Sequence, residues 1–396
     1  MSRVLKDEGV EAALAYVITQ RAGIVEKVKA RAAAAREKNR AELLPLLKSA
    51  QLQAGRNHPE EAERLFTDLL ELEPAWPEAR NAFAWFLIQR GEVIEPAQGN
   101  AKLQQAVQIC QGTLALNPRE KSPQDWAAAQ VALGFAFEQQ SIRSAGAQAE
   151  LFAQAVTAYR SALEVYTREQ LPQAWAWTES NLGYVLGMQG IRSAGAQSAE
   201  LLAQAVAACR GALEVYTREQ LPQAWARTQN NLGIALDGQG IRTGGAQGAE
   251  LLAQAVGAYR SALEVDTREQ LPQGWARTQN NLGCALIRQA IRSAGTRSAE
   301  LLAQAVTAYR SALEVYTREQ LPQDWARTEH NLGNALQMQG TRTAGAQGAD
   351  LLAQAVAAYR SAPEVCPREV SPAYNELVAA NLAKAENLLK QTKDPH

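Results

Sequence analysis

Residues 201–240 read LLAQAVAACRGALEVYTREQLPQAWARTQNNLGIALDGQG, and the stretch returns with few changes from Leu251 and Leu301, and in its first part from Leu351. A close copy starts at Leu151, and a diverged one runs from about Leu103 to Gln140. Ala155, Ala205, Ala255, Ala305 and Ala355 are 50 residues apart, whereas Ala106 precedes Ala155 by 49. The missing residue falls near Ala149, in a segment that behaves like a loop. A fixed period of this size is the mark of a stacked-repeat architecture.

Each copy holds two helical patterns. Trp225, Leu232 and Leu236 are spaced i, i+7, i+11, one face of a helix, and Pro222 sits where a first turn tolerates proline. Ala255, Tyr259, Ala262 and Leu263 are spaced i, i+4, i+7, i+8, again one face. Gly248 or Ser198 stands before an acid, Glu250 or Glu200, which predicts an N-cap there. Strand signals are absent. Neither helix can bury its stripe alone, so neighbouring pairs must stack into a solenoid.

Composition agrees with this and excludes other classes. The chain has 396 residues, 46% hydrophobic and 20% charged, with net charge −1. That balance argues against a sequence-independent nucleic-acid binder. No stretch reaches the ~20 apolar residues of a membrane helix. Acidic residues come before any apolar core at the N-terminus, so no secretory signal is expected. Cys110, Cys209, Cys284 and Cys366 lie far apart and suit a reducing, cytoplasmic setting without disulfides or zinc.

Leu232, Gly233 and Leu236, followed by Ala255, Tyr259 and Ala262, carry a resemblance to the tetratricopeptide repeat. In that family a small residue lies between leucine-like ones in the first helix. A small residue, an aromatic and an alanine follow in the second. Ala62, Phe66 and Pro74 fit the ordinary unit of about 34 residues more closely, and the next unit begins at Pro77. The later units depart by about ten residues between helices and six between units. Their Thr-x-Asn-Asn-Leu-Gly start is also similar to kinesin light chain repeats. The resemblance spans roughly residues 58 to 370. It implies an all-α, right-handed α-solenoid. The expected division is an N-terminal helical cap over 1–45, ordinary units over 46–100, extended units over 101–370, and a C-terminal capping helix and tail over 371–396.

The residues also carry structural expectations of their own. Gly183, Gly233, Gly283 and Gly333 lie mid-helix at a cost of about 1 kcal/mol against alanine, tolerable if two helices approach closely there. The alanines at 155, 205, 255 and 305 are the expected counterparts. Trp175, Trp225, Trp275 and Trp325 are expected to fill the seam between units, with ligand stacking as the alternative. Val10 to Arg40 read as one or two amphipathic helices, and residues 1–50 carry a net charge of +4. Pro363 and Pro367 should end the last second helix early, and a final helix over Ala373 to Lys390 should cap through Leu377, Leu382 and Leu389.

Chemistry is hard to find. His58, His330 and His396 are far apart, and there is no GxSxG, HExxH, phosphate loop or CxxC. No enzyme, metal or cofactor is expected. Two repeated features remain. Arg192, Arg242, Arg292 and Arg342, each followed by a hydroxyl and a glycine, could form a row of anion sites near helix N-termini, or simply turns with solvated arginines. The second feature is the face opposite Leu232 and Leu236. It carries Trp177, Ser180, Asn181 and Tyr184, then Arg227, Asn230, Asn231 and Ile234, then Arg277, Asn280, Asn281 and Cys284, then Arg327, His330, Asn331 and Asn334. The resemblance implies that these slots line a concave surface where asparagines hold an extended peptide backbone. An amide can donate and accept at once, and arginine attracts carboxylates. A solvated polar face is the alternative. The expected function is a non-catalytic scaffold for a protein or peptide partner, acting as a monomer or small oligomer. A regulatory module acting in trans on a signalling or protease effector is the second reading.

Overall fold

Pro222, Pro272 and Pro322 each occupy the first turn of a helix, where the missing N–H is not needed and the fixed φ suits a helical start. The computed structural model describes residues 9–56, 58–144, 148–365 and 372–393. Among these there are α-helices, one short 3-10 segment and no strand, so the all-α repeat fold stands. The chain divides into two units, Met1–Arg143 and Ser144–His396.

The first unit holds α1 (Gly9–Gly55), α2 (Pro59–Leu72), α3 (Pro77–Val93), α4 (Pro96–Leu116) and α5 (Pro123–Arg143). A single helix of 47 residues therefore stands where one or two were expected. Its side chains before Lys27 lie outside the described residues, so its amphipathic character there does too. Ala62 and Phe66 are buried, and Phe66 stacks on Phe83 with ring centroids 5.2 Å apart.

The second unit holds α6 (Gln148–Leu163), α7 (Pro172–Arg192), α8 (Gly195–Leu213), α9 (Pro222–Arg242), α10 (Gly245–Leu263), α11 (Pro272–Ile291), α12 (Gly295–Leu313), α13 (Pro322–Gly340), α14 (Gly345–Ser361) and α15 (Pro372–Lys393). The ten residues expected as an insertion between helices are instead helical. α9 and α10 run for 21 and 19 residues and are separated only by Thr243 and Gly244. The chain turns back this sharply because Gly195, Gly245, Gly295 and Gly345 open their helices with φ of 61°, 61°, 57° and 70°. That left-handed region is costly for any residue with a Cβ. The second helix thus starts three residues before the expected cap. Ser198 lies inside it and donates to the Gly190 carbonyl at 2.6 Å.

Mid-helix glycines do mark close approaches, but the counterpart differs from expectation. A Cβ on Gly233, Gly283 or Gly333 would meet the ring of Tyr259, Tyr309 or Tyr359 at 2.6–2.7 Å, and one on Gly183 would meet Cys209 Sγ at 2.5 Å. The aromatic slot of the second helix, more than its alanine, fills the space. The tryptophans are partly buried at the unit seams: Trp175 and Trp225 pack around Ala176, Ala212 and Tyr216, and Trp275 and Trp325 around Ala276, Ala312 and Tyr316.

At the C-terminal end α14 stops at Ser361, and Pro363 lies in the 3-10 segment Ala362–Val365, so the helix ends early as expected. Pro367 lies outside the described residues. In α15 the buried residues are Val378 and Ala385, whereas Leu377 is exposed. Its packing stripe is therefore rotated away from Leu377.

Within this unit, each first helix packs on its own second helix and on the second helix before it. Successive first helices α7, α9, α11 and α13 touch one another, while successive second helices α8, α10, α12 and α14 do not. The first helices therefore line the inner side of the stack.

Candidate functional site

The inner face is built from what each first helix leaves unburied by the leucine and glycine stripe. Asn181 is buried and donates to the Trp177 carbonyl at 2.9 Å, back along its own helix. The next three asparagines of the same slot reach back to the preceding unit. Asn231 donates to the Ser180 carbonyl at 3.2 Å and its hydroxyl at 3.3 Å. Asn281 donates to Asn230 Oδ1 at 3.2 Å, and Asn331 to Asn280 Oδ1 at 3.3 Å. Thr278 and Thr328 donate to those same two oxygens at 3.3 Å. Ser180, Asn230 and Asn280 are buried. The result is a polar seam running along the touching first helices. It satisfies amides that would otherwise be buried without partners, and it uses donors that were expected to meet a ligand backbone.

His330 occupies the slot of Ser180, Asn230 and Asn280, is buried, and lies 2.9 Å from Asn381 Nδ2 of α15. Its ring packs between Tyr359 and Tyr374, with centroids 5.8 and 5.7 Å away. Burial lowers its basicity. Asn334 accepts from Tyr359 Oη at 2.7 Å and from Asn381 Nδ2 at 3.3 Å.

The groove arginines take three different environments. Arg227 lies over the Trp177 ring at 5.8 Å, and its Nε is buried without a partner. Arg327 pairs with Asp324 one turn earlier. Arg277 is exposed and makes no ion pair or hydrogen bond among the described residues. It borders a groove of about 520 Å³ with Leu271, Pro272, Tyr316, Leu321 and Arg327.

Asp266 stands in the slot of Tyr216 and Tyr316, where the sequence pattern places a side chain of the packed stripe and a carboxylate needs exposure or a cationic partner. It is 7% exposed, and its Oδ1 is buried without a partner. Burial raises its pKa, opposed by the charges of Arg277 and Arg227.

The arginines of the turns lie against carbonyls. Arg242 donates to the Ser193 carbonyl at 3.3 Å and also to that of Ile191. Arg292 donates to Ile241 at 3.1 Å, Arg342 to Met338 at 2.8 Å and Arg192 to Met188 at 3.1 Å. Two of them thereby tie one unit's first-helix end to the next, and all four complement the negative ends of helices.

Sequence reasoning passed over one cluster. Arg288 forms an ion pair with Asp237 of the preceding unit. Asp237 is 6% exposed, and its Oδ1 has no partner. Burial pushes its carboxyl up to about 6 despite the Arg288 charge. Cys284, half-buried beside them, accepts from Tyr309 Oη at 3.3 Å and from Asn331 Nδ2 at 3.7 Å. Burial holds its thiol above the usual range, as it does for Cys110, at about 12, and Cys209. No group of three or more His, Cys, Asp or Glu among the described residues is placed to hold a metal ion. No helix there is long and apolar enough to cross a membrane.

No protein-family model matches the chain, and no curated protein does. Solved structures do. A chain of the APC/C hetero-tetramer Cut9-Hcn1 aligns with 14% identity and a TM-score of 0.53 over 86% of this chain and 48% of that one. This protein thus spans about half the length of that neighbour. The C-terminal part of a TPR repeat-containing protein from Cytophaga hutchinsonii aligns with 13% identity and a TM-score of 0.42, over 85% and 99%. A circular tandem repeat protein of novel topology aligns with 17% identity and a TM-score of 0.33, over 91% and 92%. At such identities the likeness is one of fold, and the fold is an all-α helical-repeat solenoid.

Proposed function

We propose that the chain is a non-catalytic scaffold that binds an extended segment of a partner protein along the inner face of α7, α9, α11 and α13. The observation that carries this reading is the groove between α11 and α13, where exposed Arg277 makes no ion pair among the described residues and lies with Leu271, Pro272 and Leu321, while Asp324 in the same wall is taken by Arg327. Leucine and proline side chains beside an exposed guanidinium suit a segment that offers both hydrocarbon and carboxylate. The neighbour of similar fold is itself part of a hetero-tetramer. Because the asparagine donors are occupied within the seam, recognition here works through side chains more than through the ligand backbone.

The test is capture of a binding protein on the full chain, followed by hydrogen exchange of the complex. Added protection is expected on α7, α9, α11 and α13. Protection confined to α8, α10 and α12 would overturn the proposal. Arg277→Glu should weaken the captured complex about tenfold at low salt, with the loss shrinking as salt rises.

A further inference from the structure

The first helices α7, α9, α11 and α13 differ at two slots near their N-terminal ends, three residues apart and therefore on one face. The earlier slot reads Ala174, Ala224, Gly274, Asp324, and the later one Trp177, Arg227, Arg277, Arg327. On α13 the two slots complete each other. Asp324 stands in the first turn, where the helix dipole favours an acid, and pairs with Arg327 at 2.5 Å. On α9 the arginine lies over the Trp177 ring of the preceding helix instead. On α11 the arginine is present but its carboxylate is not. That first turn holds no acid, and Gly274 stands where α13 has Asp324.

The place left by the missing acid is surrounded by donors. No side chain caps α11, and the N–H groups of Gln273 and Gly274 carry no hydrogen bond among the described residues. Without a Cβ, Gly274 leaves them open to close approach. Gly274, Arg277 and Tyr316 border the same groove of about 520 Å³. Tyr316 is 4% exposed, its ring held beside Trp275, Leu321 and Trp325. Its hydroxyl makes no hydrogen bond among the described residues, whereas that of Tyr216 donates to the Gln173 carbonyl at 3.1 Å. Two acids lie near. Asp324 is met by Arg327. Asp266, with Oδ2 3.9 Å from where a Gly274 Cβ would stand, does not border the groove and bonds neither N–H. Against these two acids stand Arg227, Arg277 and Arg327, which leaves one positive charge in excess.

We infer that the groove receives one carboxylate of the partner segment, from an aspartate or glutamate side chain, at the N-terminal turn of α11. It takes there the place that Asp324 fills on α13. Arg277 pairs with it, while the two N–H groups and the Tyr316 hydroxyl donate to it. The inference rests on the partner-binding reading and assigns its acidic contact to one position. The other units do not repeat that position: α7 has no arginine there, α9 stacks its own on a ring, and α13 supplies its own acid. One acidic residue therefore anchors the segment, and a periodic acidic ligand is not required. A single excess charge suits a carboxylate better than a phosphoryl dianion.

The experiment uses the full chain and fluorescein-labelled twelve-residue peptides in fluorescence anisotropy titrations at low salt. Each peptide carries Glu, Gln or phosphoserine at its centre, flanked by Leu on both sides on a Gly/Ser background. The Glu peptide should bind about fivefold or more tightly than the Gln peptide, and the phosphoserine peptide no tighter than Glu. Gly274→Asp should supply the missing acid from within the chain, pair Arg277, and bring the Glu peptide down to the level of Gln. Gly274→Asn, similar in size but uncharged, should weaken the Glu peptide less. Arg277→Gln should also remove the preference, and it decides the matter if circular dichroism shows that Gly274→Asp folds poorly beside Asp266. Equal binding of Glu and Gln peptides, or failure of every peptide, would overturn the inference. So would a Glu preference that survives Arg277→Gln, or tighter binding of phosphoserine, which would mark a phosphoryl site. The scaffold reading survives such a failure if the captured partner still protects the inner face of these variants. Protection elsewhere would overturn both.

Discussion

On α11, Gly283 and Leu286 face neighbouring helices and are the same residues in the four copies spanning residues 151–350, while Cys284, Ile287 and Arg288 each occur at their slot in this copy alone. Two edges of one helix thus follow different demands. On the packed edge, the ring of Tyr309 lies where a Gly283 Cβ would stand, and the fit leaves room for one solution. On the other edge the side chains border open grooves, where many solutions are compatible with the stack. Stability should therefore reside in what the units share, and recognition in what they do not.

The largest effect should come from the shared edge. Tyr309 is fully buried, so Tyr309→Ala should cost about 3–5 kcal/mol, read from urea unfolding. Ile287→Ser, on the other edge of the same pair of helices, should cost about 1 kcal/mol or less. Equal losses would dissolve the distinction between the two edges.

A second prediction concerns Asp237, a divergent residue that is nevertheless buried. Its folded pKa, about 6, lies above the ordinary value of 3.8. The folded state therefore binds its proton more tightly than the unfolded chain does. The stability this gives is complete below pH 3.8 and is lost as pH rises through 6. Between those limits the wild type should lose up to about 3 kcal/mol relative to Asp237→Asn. Parallel pH–stability curves for the two proteins would mean that Arg288 fully compensates the burial.

How much of this was legible follows the same division. The repeat, its two helices and the stop at Pro363 could be read because period, proline and glycine act locally. The sharp turn at Gly245 could not be separated from an inserted loop, because only φ distinguishes them and sequence spacing does not. The asparagine slot was found, but its use was not. Whether Asn281 faces a ligand or Asn230 depends on how closely two first helices touch, which no single unit encodes. Asp237 and Arg288 carry no family motif. The signal that could have found them was their divergence among near-identical copies.

The seam tests this directly. Replacing Asn231 and Asn281 by alanine should lower stability by about 1–3 kcal/mol, at ~0.5–1.5 kcal/mol for each lost net hydrogen bond. The oxygens left behind keep other donors, since Ser180 bonds Thr228 at 2.9 Å and Asn230 still accepts from Thr278. The loss should therefore stay within that range. Amides that only held a ligand backbone would give the opposite outcome, with binding weakened and stability barely moved. A melting curve unchanged by the double replacement would return these amides to the ligand.

The smallest effect should be a gain. Asp266 interrupts the shared edge, standing where Tyr216 and Tyr316 pack the seams on either side. Its Oδ1 is buried without a donor, and a buried acceptor left unmet costs about 1–3 kcal/mol. Tyr216 shows what the slot accommodates: its hydroxyl donates to the Gln173 carbonyl at 3.1 Å while its ring packs with Trp175 and Trp225. Gly274, beside Asp266, leaves additional room, since a Cβ there would be 3.9 Å from Oδ2. Asp266→Tyr should thus restore the pattern and raise stability by about 1 kcal/mol, a few degrees in Tm. Because burial raises the Asp266 pKa, the wild type is penalised more when the carboxyl is ionised. The gain should therefore be larger at pH 7 than at pH 4. Asp266→Asn should recover part of it, through charge alone and without the ring. A Tm several degrees lower in Asp266→Tyr would show that the carboxylate holds Arg227 or Arg277 in an ion pair that the folded stack requires.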